Sequence, residues 1–268
     1  MAKPLRLTPA LREKVWGRAS LSPWLPDRQQ KIGEACYLAE SELPLLVKLI
    51  FTSERLSVQV HPADGDGVLR GKTEMWHILE AEPGATIALG FREPITRERL
   101  REAARTGEIE QLLQWFPVKA GETYFTPART VHAIGGGIVL CEIQQNSDVT
   151  YRLWDYGRPR ELHLEQAAPI ADLSVHPGPT LPVTIAEGRK LLASCQHFVT
   201  EAIRLRAGER WEAPAARCPL WIFLEGRGRI GAERAMPGEV WLLPECGGAV
   251  LCAETDMLLL ETRVPTAP

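Results

Sequence analysis

The chain has 268 residues, of which 45% are hydrophobic and 24% charged, and its formal net charge at pH 7 is −3. This balance is typical of a globular protein that is long enough for one large domain or two ordinary ones. A slightly acidic chain is a poor candidate for a nucleic-acid partner, because neutralising phosphates requires a basic surface. The sequence has no run of the roughly 20 apolar residues that a membrane span requires, and its first residues lack the apolar core of a secretory signal. We therefore predict a cytoplasmic protein with no membrane partner.

The six cysteines are scattered, and no two of them form a Cys-x-x-Cys pair. In a cytoplasmic chain of this length, scattered cysteines are most simply reduced and buried. Any metal site would therefore depend on histidine and carboxylate ligands.

Short apolar segments separated by Gly, Pro and Asp make up most of the sequence, which favours a β-sandwich or barrel. In the first part of the chain we predict strands at 43–51, 56–62, 74–84, 85–91, 123–128, 138–145 and 149–154. In the last part we predict strands at 198–205, 220–226, 239–245 and 256–264. Three prolines between 173 and 184 indicate a connector between the two parts.

One helical segment interrupts the predicted strands at about 95–116. It opens with Thr96 followed by Glu98, and Leu100, Ala103 and Ala104 recur at helical spacing. This pattern predicts a capped helix or a pair of helices inserted into the first part of the chain.

An internal repeat relates the two parts of the chain. GETYFTPARTVHAI at 121–134 and GEVWLLPECGGAVL at 238–251 share Gly-Glu and a proline six residues after the glycine. Each copy follows a strand that contains a tryptophan, Trp76 in one case and Trp221 in the other. The same strand order at the same spacing predicts two copies of one β-barrel unit.

The two copies differ in their polar residues. His132 lies five residues after the repeat proline, where the second copy has Ala249. Glu74 lies two residues before Trp76, where the second copy has Pro219. The barrel itself therefore does not require the histidine or the glutamate, and we predict that the second barrel is degenerate and lacks metal ligands.

The spacing Gly-x5-Pro-x4-His matches the second signature of the cupin barrel, a jelly roll that commonly binds a divalent metal. In LSVQVHP, alternation places Gln59 and His61 on one face of a strand. This face either carries metal ligands or is simply the solvent-facing side of an edge strand. The cupin resemblance implies that Gln59, His61 and Glu74 come from a first signature and His132 from the second. Two imidazoles, a carboxylate and an amide suit zinc, although Fe, Mn or Co would also fit.

A second run of polar residues follows the strand at 138–145. The even positions are Glu142, Gln144, Asn146, Asp148, Thr150 and Arg152. If the strand continued that far, these side chains would all project to one side, either to solvent or into a barrel that holds a polar ligand.

Several motifs together resemble those of the type I phosphomannose isomerase family. The matching segments are LPLLVKLIF, LSVQVHP, GKTEMW, PARTVHAIGGG, EIQQNSDVTYRLWDY and PRELHLE, with KVWG and IGEACYL near the start. The resemblance implies an all-β fold of two cupin barrels with a small helical insertion. It implies a catalytic metal-binding domain at 1–172 and a degenerate barrel at 185–268.

The resemblance also implies one zinc ion per chain and a sugar-phosphate substrate, with the protein acting as a monomer or homodimer. The implied metal ligands are Gln59, His61, Glu74 and His132. The implied pocket residues are Lys48, Lys72, Glu142, Asp148 and Arg152. The implied reaction interconverts mannose 6-phosphate and fructose 6-phosphate through a cis-enediol.

Such a reaction requires an electrophile, a base and a cationic anchor for phosphate. Arg152 is the candidate for stabilising enediolate charge or gripping phosphate, and Lys48 for binding substrate phosphate or balancing charge. Lys72, oriented by Asp148, and Glu142 are competing candidates for the base.

Two other functions fit the same pattern. One is a non-catalytic cupin that keeps the metal and binds or senses sugar phosphates. The other is a metal-dependent oxidoreductase or a different sugar isomerase on the same barrel, since one fold hosts many chemistries. The presence of Lys72, Asp148 and Arg152 favours an enzyme.

Overall fold

A computed structural model describes residues 3–265, and β-strands dominate it. The strands of the first part are β1 (Leu5–Arg18), β2 (Ile32–Leu38), β3 (Leu45–Phe51), β4 (Val58–Val60), β5 (Glu74–Ala81), β6 (Thr86–Phe91), β7 (Leu113–Pro117), β8 (Thr123–Thr126), β9 (His132–Ile134), β10 (Ile138–Gln145) and β11 (Tyr151–Trp154). The strands of the last part are β12 (Val183–Ala186), β13 (Arg189–Ser194), β14 (Val199–Leu205), β15 (Arg210–Glu212), β16 (Arg217–Glu225), β17 (Gly228–Ile230), β18 (Glu233–Ala235), β19 (Val240–Leu242), β20 (Val250–Ala253) and β21 (Met257–Val264). The helices are α1 (Arg97–Thr106), α2 (Ile109–Leu112) and α3 (Leu164–Ile170).

The strands form three sheets. The largest has twelve strands in the order β12-β13-β14-β21-β16-β19-β1-β2-β3-β10-β5-β8. A five-stranded sheet, β11-β4-β9-β6-β7, belongs to the first part of the chain, and a four-stranded sheet, β15-β20-β17-β18, to the last part. Each smaller sheet packs against one half of the large sheet, which gives two jelly-roll barrels.

The N-terminal strand β1 joins the two barrels. Its first residues, Leu5 to Leu7, pair with β19, and the following residues pair with β2 from Thr8 onward. The large sheet is therefore continuous across both barrels. The division into domains at 172 and 185 stays a proposal, because the two units share this strand.

Alternation along β10 and β21 separates three apolar cores. On β10, Ile138 and Leu140 face the interior of the first barrel, whereas Val139 and Cys141 contribute to a core that also includes Leu258 and Leu260 of β21. That second core lies between the two halves of the large sheet. The interior of the second barrel has its own cluster, centred on Trp221, Phe223 and Trp241. Strand β10 is buried along its whole length because it has a core on each face.

The helices cover the outer face of the five-stranded sheet. Val58 and Val60 of β4 pack there with Leu100 and Ala103 of α1 and with Ala167 of α3. The hydroxyl of Thr96 caps α1 by accepting a hydrogen bond from the backbone N–H of Arg99. None of the helices within residues 3–265 has the length and apolar character that crossing a bilayer would require.

The predicted elements were incomplete or wrong in three respects. Eight strands lie where none was predicted, namely β1, β2, β12, β13, β15, β17, β18 and β20. The helical segment ends at Leu112, and Leu113–Pro117 forms β7, because Phe116 and Trp115 pair with Ile87 and Ala88 of β6. A third helix, α3, lies where no element was predicted.

Strand β10 also ends too early for the polar residues from Glu142 to Arg152 to lie on one strand. Its last residue is Gln145, and the chain then turns at Asn146, whose amide donates to the carbonyl oxygen of Leu43. Beyond the turn, β11 joins the other sheet of the barrel. The even positions from Glu142 to Arg152 therefore do not lie on one face of one strand.

The all-β prediction with two cupin barrels and a small helical insertion is confirmed by the arrangement of strands. Alternation and the spacing of turns predicted the all-β class. The internal repeat predicted two barrels, and the family resemblance implied the cupin fold.

Candidate active site

Three buried residues, His61, Glu74 and His132, converge inside the first barrel. Glu74 is the first residue of β5, His132 is the first residue of β9, and His61 follows directly after β4. Antiparallel pairing of β4 with β9 places Gln59 opposite His132. All three residues of the group are only 1% exposed, which excludes the solvent-facing interpretation of these positions.

The ligand atoms of this group lie close enough together to surround one ion. His61 Nε2 is 3.6 Å from Glu74 Oε2, and His132 Nε2 is 3.6 Å from Glu74 Oε1. The three residues each offer a ligand atom within 4.8 Å of the others. Two ligands about 2.1 Å from a tetrahedral zinc ion are about 3.4 Å apart, so these separations fit a metal site.

Hydrogen bonds orient both imidazoles toward the centre of the group. His61 Nδ1 donates to the carbonyl oxygen of Val149 at 3.0 Å, and His132 Nδ1 donates to that of Thr130 at 2.9 Å. The Nε2 atoms therefore carry the lone pairs and face the other ligands, as in histidines that bind metals. Neither carboxylate oxygen of Glu74 accepts a hydrogen bond, although both are buried. A buried carboxylate without hydrogen bonds is costly. The Lys72 ammonium, 3.2 Å from Oε2, offsets part of that cost, and a bound metal cation would offset more.

Gln59 lies beside the group. Its amide nitrogen is 3.3 Å from His132 Nε2, and its amide oxygen accepts a hydrogen bond from Ser57. The oxygen and nitrogen of an amide exchange places by a rotation of the side chain. Rotation would direct the oxygen of Gln59 to the centre of the group, as its predicted role requires.

Burial shifts the pKa values of all three residues. It raises the pKa of Glu74 to about 7 against the opposing effect of the Lys72 ammonium. Burial lowers the pKa of His132 to about 4, and burial together with Lys72 holds the pKa of His61 well below its ordinary value. Both imidazoles are therefore neutral near pH 7, which is the form that binds metals.

Lys72 contacts the group directly. Its ammonium Nζ is 3.1 Å from His61 Nε2, 3.2 Å from Glu74 Oε2 and 4.0 Å from Glu142 Oε1. The side chain is 5% exposed. Lys72 is therefore a buried cation between the candidate metal ligands and a second carboxylate.

Glu142 and Lys48 form the second buried ion pair of the site. Backbone register places them opposite each other on β10 and β3, and Lys48 Nζ is 3.4 Å from Glu142 Oε1. The other oxygen, Oε2, accepts a hydrogen bond from the indole N–H of Trp76 at 3.1 Å, whereas Oε1 accepts none. Burial would raise the pKa of Glu142, but Lys72 and Lys48 outweigh it and hold the pKa below its ordinary value. Glu142 is thus an ionised carboxylate whose Oε1 is paired with Lys48 but accepts no hydrogen bond.

Arg152 and Asp148 occupy different positions from this buried cluster. Arg152 donates from Nη1 to the carbonyl oxygen of Glu161 at 2.7 Å, while its Nε is buried without a hydrogen-bond partner. The carboxylate of Asp148 is 68% exposed and lies 3.8 Å from Arg12. Within residues 3–265, the recorded ion-pair partner of Asp148 is therefore Arg12, and the predicted role of Asp148 in orienting Lys72 has no contact to support it.

A cavity of about 320 Å³ connects these residues. The predicted residues that line it are Lys48, Gln59, Lys72, Glu142, Asp148 and Arg152. Sequence reasoning missed Arg12 and Lys14 of β1, Glu34 of β2 and Arg160, which line it as well. The alternation of Arg12, Lys14 and Trp16 along β1 was the available signal, since these residues share one face of the strand.

The fold and the site together define a cupin barrel with a buried His-Glu-His group next to a polar cavity. Gln59 and Lys72 contact the group and line the cavity. No protein-family model matches the sequence. A mannose-6-phosphate isomerase of Streptococcus mutans is 44% identical over 138 aligned residues, which cover 47% of this chain and 43% of that protein. The mannose-6-phosphate isomerase ManA of Bacillus subtilis is 34% identical over 220 residues, which cover 64% of this chain and 69% of that protein. The chain belongs to the mannose-6-phosphate isomerase family.

Solved structures agree with this assignment at the level of the fold. The mannose 6-phosphate isomerase from Bacillus subtilis superimposes with a TM-score of 0.85 at 24% identity, covering 97% of this chain and 99% of that one. A structure described as a mannosephosphate isomerase from Archaeoglobus fulgidus gives a TM-score of 0.80 at 17% identity and covers 98% of each chain. The resemblance to type I phosphomannose isomerases is thereby confirmed.

Proposed function

We propose that the protein is a metal-dependent isomerase that interconverts mannose 6-phosphate and fructose 6-phosphate. The observation that carries the proposal is the buried group of His61, Glu74 and His132 beside an ionised Glu142 and the buried cations Lys48 and Lys72. The first barrel buries four charged side chains around this group, Lys48, Lys72, Glu74 and Glu142, and burying a charge is costly unless it is paired. Membership of the family supports the same substrate and reaction.

We infer that the four metal ligands are His61, Glu74, His132 and Gln59, and that one zinc ion binds per chain. Two imidazoles with a carboxylate and an amide oxygen suit zinc, and Fe, Mn or Co are the alternatives for elemental analysis to test. A divalent ion held there supplies positive charge to the oxyanion that develops on the substrate during isomerisation.

The reaction moves one proton between C1 and C2 of the open-chain sugar, and Glu142 is the best-placed base. Glu142 lines the cavity, its carboxylate is ionised, and its Oε1 accepts no hydrogen bond, although Lys48 Nζ lies 3.4 Å away. Glu142 would take the proton from C2 of the aldose and return it to C1, while a proton passes from O2 to O1. The indole N–H of Trp76 fixes the carboxylate by holding Oε2, which keeps Oε1 directed at the substrate.

Lys72 is better suited to binding the substrate oxygens than to shuttling the proton. Its ammonium group already contacts His61 and Glu74, so it donates to acceptors at the base of the cavity. Lys48 keeps Glu142 ionised, and Arg152 offers an unpartnered N–H to charge that develops on the substrate. Together these cations stabilise the enediolate more than the neutral sugar, which is the requirement for catalysis.

Purified protein incubated with mannose 6-phosphate tests the proposal directly. We expect fructose 6-phosphate to form, turnover to stop after treatment with a chelator, and turnover to return when zinc is restored. If the metal-loaded protein binds sugar phosphates but never converts them, the non-catalytic binding function replaces the isomerase. If turnover persists in protein shown by elemental analysis to contain no metal, the metal-dependent mechanism is wrong.

A further inference from the structure

The cavity carries more positive than negative side chains along its walls. Its basic residues are Arg12, Lys14, Lys48, Lys72, Arg152 and Arg160, and its acidic residues are Glu34, Glu142 and Asp148. This excess of positive charge suits a dianionic ligand such as a sugar phosphate, because a cleft of one sign concentrates ligands of the other.

Most of these basic groups already have a close carboxylate partner. Lys48 pairs with Glu142 at 3.4 Å, Lys72 with Glu74 at 3.2 Å and Lys14 with Glu34 at 3.3 Å. Arg160 donates two hydrogen bonds to Asp155, at 2.5 Å and 2.6 Å. These four cations therefore each have a carboxylate partner within the protein.

Arg152 and Arg12 remain. Arg152 donates to the carbonyl oxygen of Glu161 and is assigned above to the charge that develops on the reacting carbons, whereas Arg12 can exchange its partner for a ligand. Its only recorded ion pair within residues 3–265 joins Nη2 to Asp148 Oδ2 at 3.8 Å, beyond hydrogen-bond distance. Both side chains are substantially exposed, 41% for Arg12 and 68% for Asp148. An exposed pair at this distance contributes little to stability, so exchanging one partner for a ligand costs little.

The backbone beneath Arg12 is nonetheless firmly placed. Strand β1 pairs Arg12 with Glu34 of β2, and Trp16, on the same face of the strand, is 3% exposed. Along β1, Arg12 is farther than Lys14 from the buried Trp16. The exposed side chain of Arg12 places it at the cavity mouth. It therefore combines a fixed position with a side chain that is free to reorient.

We propose that Arg12 recognises the phosphate group of the substrate at the cavity mouth and that Asp148 is its counterion in the empty site. The inference rests on the proposed isomerase function, in which C1 and C2 of the sugar lie beside Glu142 and Lys72. The phosphate is on carbon 6, at the opposite end of the sugar, and therefore points to the mouth. A guanidinium forks onto two phosphate oxygens, which makes arginine a strong ligand for that group. Asp148 thus limits the affinity for phosphate by competing for Arg12.

Calorimetric titration with a ligand that cannot be isomerised separates recognition from turnover. Glucitol 6-phosphate has no carbonyl group, and glucitol is the matched ligand without phosphate. We expect Arg12→Gln to weaken binding of glucitol 6-phosphate by about 10- to 100-fold, since it removes a charge-assisted contact. We expect Asp148→Asn to tighten it by about 2- to 5-fold, because the competing carboxylate is gone. Neither change should alter the response to glucitol.

Arg6→Gln is the matched control. Arg6 lies on the same strand and pairs with one carboxylate, Glu239, at 3.0 Å. Arg6 is six residues from Arg12, about 20 Å along a strand. The substitution Arg6→Gln removes the same charge as Arg12→Gln. We expect its affinity for glucitol 6-phosphate to equal that of the unmodified protein.

The outcomes distinguish the two proposals. Unchanged affinity in a folded Arg12→Gln variant, with turnover intact in the unmodified protein, would overturn the role of Arg12 and leave the isomerase standing. An equal loss in Arg6→Gln would also overturn it, since net charge alone would then explain the effect. Absence of both turnover and glucitol 6-phosphate binding in the unmodified protein would overturn both proposals. If Arg12→Gln does not fold, Arg12→Lys serves instead, and a folded lysine variant that binds as tightly as arginine would contradict recognition by a forked guanidinium.

Discussion

Each barrel of this chain contains a hydrogen bond from a tryptophan indole to a glutamate, at the equivalent place in its sheet. In the first barrel Trp76 of β5 lies opposite Glu142 of β10, and its indole N–H donates to Oε2 at 3.1 Å. In the second barrel Trp221 of β16 lies opposite Glu261 of β21, and its indole N–H donates to Oε2 at 2.8 Å. The tryptophan–glutamate pair is therefore part of the barrel framework and does not by itself indicate a catalytic site.

The surroundings of the two glutamates differ. The residue opposite Glu142 on the neighbouring strand is Lys48, whereas the residue opposite Glu261 is a second carboxylate, Glu201. In the second barrel, both carboxylates form ion pairs with arginine side chains of the same barrel. Arg263 contacts both Glu201 and Glu261, and Arg189 contacts Glu201.

The two interiors thus satisfy their charges in different ways. Within the described residues, the second barrel closes its network internally, and its Glu261 also accepts a hydrogen bond from Trp211. The first barrel also pairs its carboxylates with cations of its own, Lys72 and Lys48, but it leaves both oxygens of Glu74 and one oxygen of Glu142 without hydrogen bonds. Unsatisfied buried acceptors indicate a place for a ligand, so the comparison locates function in the barrel whose polar groups remain open.

The largest expected effect is the loss of the metal from the first barrel. We expect His132→Ala to remove metal binding and to lower turnover by at least about 1000-fold, since the charge of the ion is worth several kcal/mol to the transition state. Elemental analysis of the purified variant, together with the isomerase assay, measures both effects.

Arg152→Ala is the matched variant for that experiment. Arg152 lines the same cavity but is not among the candidate metal ligands. We expect it to retain the metal and to lose about 100- to 1000-fold in turnover, as for other charge-stabilising groups. Full activity in either variant, or retention of the metal by His132→Ala, would overturn the assigned roles.

The next effect separates the two framework glutamates. We expect Glu142→Gln to lower kcat by about 100-fold or more, because the amide keeps the hydrogen bond from Trp76 but cannot accept the proton. The free energy of unfolding should change much less than the activity does. Steady-state kinetics and urea denaturation report the two quantities separately.

Glu261→Gln is the corresponding change in the second barrel. It leaves Arg263 without one of its two carboxylates, so we expect a loss of about 1 to 3 kcal/mol in the free energy of unfolding with kcat unchanged. If both variants lost activity equally, the second barrel would have a catalytic role and the contrast between the barrels would fail.

The smallest effect concerns the residue that follows each tryptophan, which is His77 in the first barrel and Ile222 in the second. His77 is 4% exposed and hydrogen-bonded to Thr123 Oγ1, and burial lowers its pKa to about 4. Between about pH 4 and 6.5 the unfolded chain binds a proton at this histidine and the folded chain does not, so stability falls as the pH falls. When the pH falls from 7.5 to 5, we expect the free energy of unfolding of His77→Ile to fall by about 2 kcal/mol less than that of the unmodified protein.

Urea denaturation of both proteins at the two pH values measures this difference. The hydroxyl of Thr123 loses its partner in the variant at every pH, so only the change with pH reports the histidine. Identical losses of stability on acidification in the variant and the unmodified protein would show that His77 is not held neutral by the fold.

Much of the fold and the centre of the site could be predicted from the sequence. Alternation and turn spacing predicted many of the strands, although not β1, β2, β12 or β13, and the repeat around Trp76 and Trp221 predicted two barrels. The loss of His132 and Glu74 equivalents from the second copy indicated which barrel carries the chemistry. These signals are local, because alternation fixes which face of a strand a side chain occupies.

The positions of Asp148, Arg12 and the end of the helical segment depended on the tertiary structure. Asp148 lies at the cavity mouth because the chain leaves β10 at Gln145 and crosses to the other sheet before β11. Arg12 reaches the same cavity because β1 pairs with β2 at the edge of the first barrel. Leu113 begins a strand because β6 supplies a partner, which overrides the helical pattern of the preceding residues.

The sequence by itself determined that the chain is a pair of β-barrels and that His61, Glu74 and His132 are the residues to examine. Only the tertiary structure decided that these residues meet, since His61 and His132 are brought together by the pairing of β4 with β9. It also decided that one oxygen of Glu142 accepts no hydrogen bond and that Arg12 faces Asp148. The physical reason is that a side chain's face follows from local periodicity, whereas its partners follow from which distant strands lie side by side, and that is settled by the packing of the whole chain.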